Sequence, residues 1–180
     1  MYKLRDKSQV IQNEITLKDG SSVLIRQINL GDVELFRDFI NRLAPESLYS
    51  RYLSFKQEFS TAEEIHFCST EAGERMALVA EKEENGKNII VGLAEYETVN
   101  PGMAEVGIVV EDRFQGLGMA TKMLKELVDI AIIDGIEIFS ASVHPNNTRI
   151  LKFIRKSKLS VNRRLTYGAW EIQVELVGNQ

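Results

Sequence analysis

Apolar residues recur along the chain with two different periods, and the changes of period mark out its elements. Ile15 and Leu17 alternate with polar neighbours, a Lys18-Asp19-Gly20-Ser21 turn follows, and Val23 to Ile28 resumes the run, which predicts a β-hairpin. At Asp32 the spacing changes. Leu35, Phe36, Phe39, Ile40 and Leu43 fall on one helical face, so a helix is expected to start at Asp32 and to stop at Pro45. Glu46 to Leu53 reads as a second helical piece. Ser60-Thr61-Ala62-Glu63 has the form of a capping box and opens a third short helix through about Cys68.

The middle of the chain has a different texture. Met76 to Glu81, Ile89 to Val99 and Ala104 to Val110 are rich in Val, Ile, Leu and Ala and are separated by turn residues, which predicts three consecutive antiparallel strands. Gly116 to Ile133 reads as an amphipathic helix with Ala120, Met123, Leu124, Leu127, Val128 and Ala131 in one stripe, ended by Gly135. Ile136 to Val143 reads as a strand, Asn146 to Ser157 as a helix, and Leu159 to Arg164 with Tyr167 to Val177 as a closing hairpin. This order predicts a mixed α+β (α/β mixed) fold in one domain spanning residues 1–180.

Length and composition fit that picture. With 180 residues, 44% of them hydrophobic, the chain can bury roughly 70% of the surface its unfolded form exposes, so no staple is needed to hold a core. Cys68 has no partner in the chain, and no Cys/His spacing around His66 or His144 suits a metal; a reducing, cytoplasmic setting and no metal are expected. No apolar run approaches the roughly 18 to 20 residues of a spanning helix, and Met1 to Gln12 lacks the apolar core of a signal peptide. The net charge of -4 argues against a general nucleic-acid binder.

The placement of charge says more than its sum. Acids dominate from Glu58 to Glu84, whereas Ile138 to Ala169 holds none and carries Arg149, Lys152, Arg155, Lys156, Lys158, Arg163 and Arg164. Two solvated faces would explain this, and so would a site lying between them.

The segment Val106 to Ala120 carries the candidate chemistry. A buried strand runs into a turn whose residues Gly116, Gly118 and Ala120 are small, and the turn opens a long helix. The first turn of a helix has unpaired N–H groups and partial positive charge, so it can bind an anion through its main chain alone. Glycines that merely permit a positive φ would look the same. No Gly-Lys-Ser/Thr follows Gly118, which excludes a P-loop, and the third glycine of a dinucleotide fingerprint is missing.

Gln115-x-x-Gly118-x-Ala120, placed between a strand and an amphipathic helix, resembles the acyl-CoA signature Q/R-x-x-G-x-G/A of the GNAT N-acetyltransferase superfamily. Asn146-Asn147-Thr148-Arg149-Ile150-Leu151 resembles its second element, an Asn opening the next helix. Arg26-Gln27-Ile28 through Pro45-Glu46-Ser47-Leu48-Tyr49 resembles the Pat-type protein lysine acetyltransferase branch, so that about residues 14–177 are covered. The resemblance implies a central, mostly antiparallel twisted sheet with its fourth and fifth strands splayed apart and helices on either side. It implies an acetyl-CoA site in which the main chain of Gln115, Gly116, Leu117, Gly118, Met119 and Ala120 holds the pyrophosphate. Val109 and Val110 would pair with the pantetheine arm, and Asn147, or else Asn146, would sit by the thioester. Arg149 or Lys152 would meet the 3′-phosphate. A helix cap after Pro145 accounts equally well for either asparagine.

Acyl transfer to an amine needs an unprotonated nitrogen, and a lysine amine is neutral only about once in 2,500 at pH 7. Glu105 alternates with Gly107 and Val109 on one strand face, and the Pat-type enzymes place their general base at the matching position; an exposed strand-end charge is the competing explanation. The amide of Val109 or Val110 is expected to face the developing oxyanion. Many members of the superfamily protonate the leaving thiolate with a tyrosine in the helix after the asparagine. Here Ile150 to Lys156 has none, and Phe153 cannot donate. Tyr167, His144 and Cys68 are weaker candidates for chemistry. Ser157-Lys158-Leu159 also departs from the family's usual Leu-Gly-Phe.

The function expected is acetyl-CoA-dependent N-acetylation of a primary amine, a protein lysine foremost, with no membrane or direct nucleic-acid partner. A small-molecule amine acetyltransferase and a non-catalytic acyl-CoA sensor are the rivals. On this expectation the basic stretch lies by the cofactor and the acidic stretch by the acceptor.

Overall fold

A computed structural model of the chain describes residues 12–53, 58–156 and 160–176, with the side chains of Arg149, Phe153 and Lys156 excepted. The elements are β1 (Gln12–Thr16), β2 (Ser22–Gln27), α1 (Val33–Arg42), α2 (Pro45–Tyr52), α3 (Thr61–Cys68), β3 (Arg75–Glu84), β4 (Lys87–Asn100), β5 (Met103–Val110), α4 (Met119–Ile133), β6 (Ile138–Val143), α5 (Thr148–Lys156), β7 (Val161–Thr166) and β8 (Ala169–Glu175). The strands form one sheet in the order β1-β2-β3-β4-β5-β6-β8-β7. Every neighbouring pair is antiparallel except β5 and β6.

Both faces of the central strands are covered, which is why β3 and β4 read as long apolar runs rather than alternating ones. On one face Met119, Met123 and Leu127 of α4 pack with Ile25, Leu78 and Tyr96. On the other, Phe36, Phe39, Ile40 and Leu48 of α1 and α2 pack with Ala77, Val79, Leu93 and Val109. Gly92 lets α4 lie close on β4, since a Cβ there would fall 3.0 Å from the sulfur atoms of Met119 and Met123.

Local signals set most of the ends. The Ser60 capping box forms, with Ser60 N–H donating to Glu63 at 2.9 Å and Glu63 N–H to Ser60 Oγ at 3.3 Å. Asp32 differs from expectation. The approach to α1 is a short 3-10 turn capped by Asn29, whose Oδ1 accepts from Gly31 N–H at 2.9 Å. The Asp32 carboxylate instead takes a two-pronged bond from Arg26, 2.8 Å on each arm, and one from Asn29 N–H at 2.9 Å. Burial alone would raise its pKa, but Arg26 and the Asn29 amide overcome that and hold it below the usual carboxylate range. At the far end of α4, Gly135 at φ +84° closes the helix with Ile136 N–H on Ala131 O at 2.9 Å.

One feature of the sheet makes room for a site. β5 and β6 pair only at Met103–Ile138, Ala104–Phe139 and Glu105–Ser140, and beyond Glu105 the two strands part. This is the splayed pair that the resemblance implies, falling in this chain on its fifth and sixth strands rather than its fourth and fifth, and the closing hairpin seals its far side because β8, not β7, pairs with β6.

Candidate active site

Beyond their last shared pair the two strands border a cleft of about 780 Å³. Its lining includes Glu105, Gly107 and Ile108 of β5, Thr121 and Leu124 of α4, Ser142 of β6 and Asn147 before α5. One end therefore lies at the first turn of α4 and the other at Glu105.

The ladder between β4 and β5 decides which main-chain groups face the gap. Glu111 N–H donates to Val91 O at 2.9 Å, and in the same register Leu93 stands opposite Val109, Glu95 opposite Gly107, and Glu97 opposite Glu105. Hydrogen-bonded and open pairs alternate in an antiparallel ladder, so those residues spend their main-chain groups on β4, while Ile108 and Val110 turn theirs toward the gap. Of the two residues expected to present main-chain groups there, Val110 does so and Val109 does not. Val109 is instead a buried packing residue against α1 and α2.

The turn before α4 is held open from behind. Gln115 Nε2 donates to Val110 O at 3.0 Å, Asp112 Oδ1 at 3.1 Å and Ser47 Oγ at 3.2 Å, and Asp112 is itself tied to Ala44 N–H at 2.9 Å. Gln115 thus braces the loop against β5 and α2, and its own N–H is spent on Asp112 O at 3.3 Å. Open amides begin at Gly116 rather than at Gln115, a correction to the expected set. Gly116 and Gly118 adopt φ +81° and +90°, which only glycine enters without strain, and for this reason α4 starts at Met119 and not at Gly116. The Met119 side chain is buried beneath the loop, while Leu117 and Ala120 pack partly against the same core. Among the described residues the N–H groups of Gly116, Leu117, Gly118, Met119 and Ala120 have no protein partner.

At the opposite end Glu105 is exposed, and Glu97, directly across the ladder, is exposed beside it. His66 Nε2 lies 3.2 Å from Glu97. Beneath these carboxylates is a buried charge cluster that periodicity does not reveal. Arg51 donates to Glu95 Oε1 at 2.5 Å, and Arg75 donates to the other oxygen of the same carboxylate. Burial opposes the charge on Arg51, but Glu95 overcomes it and raises the pKa. Burial, with Glu95 second, pushes the Tyr52 phenol well above its ordinary range.

Gly107 has ordinary strand geometry, so its lack of a side chain serves space and not φ. A Cβ there would fall inside the Arg51 guanidinium. Gly107→Ala is therefore expected to expel Arg51 from Glu95 and to cost about 1–3 kcal/mol in urea unfolding. Unchanged stability would show that Arg51 moves aside freely.

Asn147 lines the cleft and caps α5, its Oδ1 accepting from Ile150 N–H at 3.2 Å. Asn146 is exposed. Arg149 lies on α5, but its side chain, like Phe153 and the segment Ser157-Lys158-Leu159, is outside the described set. Lys152 is exposed. The weaker candidates have structural occupations. Cys68 is fully buried, and burial above all pushes its thiol up to about 11. His144 packs against the Tyr49 ring and accepts from Asn146 N–H at 3.2 Å, and Tyr167 is fully exposed in the β7–β8 turn. The acidic stretch is partly neutralised in place, with Glu64 on Arg37, Glu81 on Arg26 and Glu84 on Arg113. Among the described residues no group of three or more His, Cys, Asp or Glu side chains could hold a metal ion, and no helix is long and apolar enough to cross a membrane.

Known proteins share this fold. The chain aligns at 34% identity over 121 residues with an acetyltransferase of Pseudomonas aeruginosa, a match that takes in 67% of this chain and 65%, just under two-thirds, of that protein's length. The fold superposes on the GNAT domain of Streptomyces lividans PAT with a TM-score of 0.82 at 24% identity, over 91% of this chain and 96% of that one. It also superposes on yncA of Salmonella typhimurium, solved with its cofactor acetyl-CoA, with a TM-score of 0.68 at 18% identity, over 89% and 97% of the two chains. A third likeness, at TM-score 0.64 and 15% identity over 86% and 99%, is to the PaiA N-acetyltransferase of Thermoplasma acidophilum in complex with coenzyme A. The profile of the acetyltransferase (GNAT) family matches residues 41–158, more than half of the chain. By that match the chain belongs to the GNAT acetyltransferase family.

Proposed function

We propose that this chain is an acetyl-CoA-dependent N-acetyltransferase that acylates a primary amine, a protein lysine foremost, with Glu105 as general base. The observation that carries the reading is the end of β5–β6 pairing at Glu105, where an exposed carboxylate borders a cleft that extends to Thr121 in the first turn of α4. In this reading the amides of Gly116 to Ala120 hold the pyrophosphate of CoA, and the gap-facing groups of Ile108 and Val110 continue the sheet onto its pantetheine arm. Glu105 removes a proton from the ammonium, the freed nitrogen attacks the thioester carbon, and as the tetrahedral intermediate collapses the C–S bond breaks and the second proton of the nitrogen passes to the departing thiolate or to water. A thiol pKa near 8.5 lets the leaving group depart with little help, which suits a helix that lacks the tyrosine used by many relatives.

The acceptor class follows from exposure and charge. Glu105 and Glu97 form an open anionic edge that would draw a cationic amine, and a base exposed on a rim can be reached by a side chain projecting from a large molecule. The test is incubation with acetyl-CoA and cell extract, read by mass spectrometry. Acetyl-lysine on proteins supports the reading. Acetylated metabolites without modified proteins would replace the acceptor with a small amine, and absence of product together with tight CoA binding would make the protein a sensor.

A further inference from the structure

We propose that Lys18, in the first hairpin turn, is the cation that pairs with the pyrophosphate of CoA; this rests on reading Gly116 to Ala120 as the phosphate cradle. Lys18 lies about a hundred residues before that loop in sequence, and two contacts bring it there. Its N–H donates to Leu117 O at 3.1 Å, docking the turn onto the loop main chain. Its side chain then runs across Gly118, with Cε 3.6 Å and Cγ 3.9 Å from the place a Cβ would occupy. The ammonium is one bond beyond Cε.

The turn that carries Lys18 is internally braced. Leu17 N–H donates to Ser21 O at 2.7 Å and Gly20 N–H to Leu17 O at 3.0 Å. The one acid of the turn, Asp19, is folded inward, accepting from Ser21 N–H at 3.0 Å and Ser21 Oγ at 2.7 Å. Its carboxylate is thereby occupied within the turn. Lys18 is exposed, and among the described residues it has no hydrogen-bond or ion-pair partner for its ammonium.

Two cations near the loop, Arg113 and Lys122, are already engaged. Arg113 donates to Glu111 at 2.5 Å and to Glu84 at 3.1 Å, and Lys122 Nζ donates to Thr16 O at 2.8 Å. No Lys or Arg lies in the loop itself. A diphosphate diester carries one negative charge on each phosphate, whereas a helix N-terminus supplies the equivalent of about half a positive charge. The amides alone leave most of that charge uncompensated, and Lys18 is placed to supply the difference. The first hairpin would then belong to the cofactor site and not only to the edge of the sheet.

Calorimetric titration of wild type, Lys18→Ala and Lys18→Arg with CoA and with 3′-dephospho-CoA tests this. The expected result is a loss of about tenfold for Lys18→Ala with both ligands alike, a size common for one charge-assisted contact. Lys18→Arg should bind near wild type, and added salt should weaken Lys18→Ala less steeply than wild type. Equal binding by Lys18→Ala overturns the proposal. A loss seen with CoA and absent with dephospho-CoA also overturns it, by moving Lys18 to the 3′-phosphate. If wild type binds neither ligand, the cradle reading itself fails and the proposal falls with it.

Discussion

Glu105→Gln is expected to lower kcat/KM for the amine by about 10²–10³-fold at pH 7, within the range that a positioned base contributes, while acetyl-CoA binds as before. The substitution keeps the shape of the side chain at an exposed position, so unfolding should be unaffected. The pH profile separates loss of a base from loss of binding. With a base that accepts the proton from a bound ammonium, the rate needs only an ionised carboxylate and stays level above neutrality. Without one, the rate follows the free amine, which rises about tenfold per pH unit toward a pKa near 10.4. Glu105→Gln should therefore recover steeply between pH 7 and 10, and a rate equal to wild type at pH 7 would remove Glu105 from the role. Glu97, across the ladder, would then be the carboxylate to replace.

Gly118→Val is expected to weaken CoA binding by about 10²-fold or more. Gly118 sits at φ +90° and ψ 0°, where a β-branched residue is strained by about 1–3 kcal/mol. Its side chain would also project over the amides proposed to receive the phosphates. Strain by itself can be measured at the other end of the same helix. Gly135 has φ +84° with nothing within 4 Å of its Cβ position, so Gly135→Val should lower stability comparably and leave CoA affinity intact. If the two variants bind CoA equally well, the loop is not the phosphate cradle.

Much of the architecture was legible because it is local. Alternation with a turn located the β1–β2 hairpin, the 3.6-residue period located α1 and α4, and Ser60 with Glu63 located the start of α3 to the residue. Errors gathered at helix entries. α4 begins at Met119 and α5 at Thr148, because Gly116, Gly118 and Asn147 are turn or cap residues that apolar spacing extends through. Asp32 looks like a cap in sequence, yet its carboxylate is drawn to Arg26 on β2, a partner that no local pattern reveals.

The sequence by itself determined the order of the elements, the small-residue turn after β5, the position of Glu105 on that strand and the family resemblance, since each is written in neighbouring residues. Only the tertiary structure decided the working arrangement. The ladder register turned Val110 rather than Val109 toward the gap and set Glu97 opposite Glu105. Packing of α2 put the Arg51 guanidinium where a side chain on Gly107 would be, and docking of the first hairpin laid Lys18 across Gly118. Periodicity reports which face of an element is buried. It carries no information on the register between strands or on which distant side chain arrives at that face, because those depend on how whole elements pack.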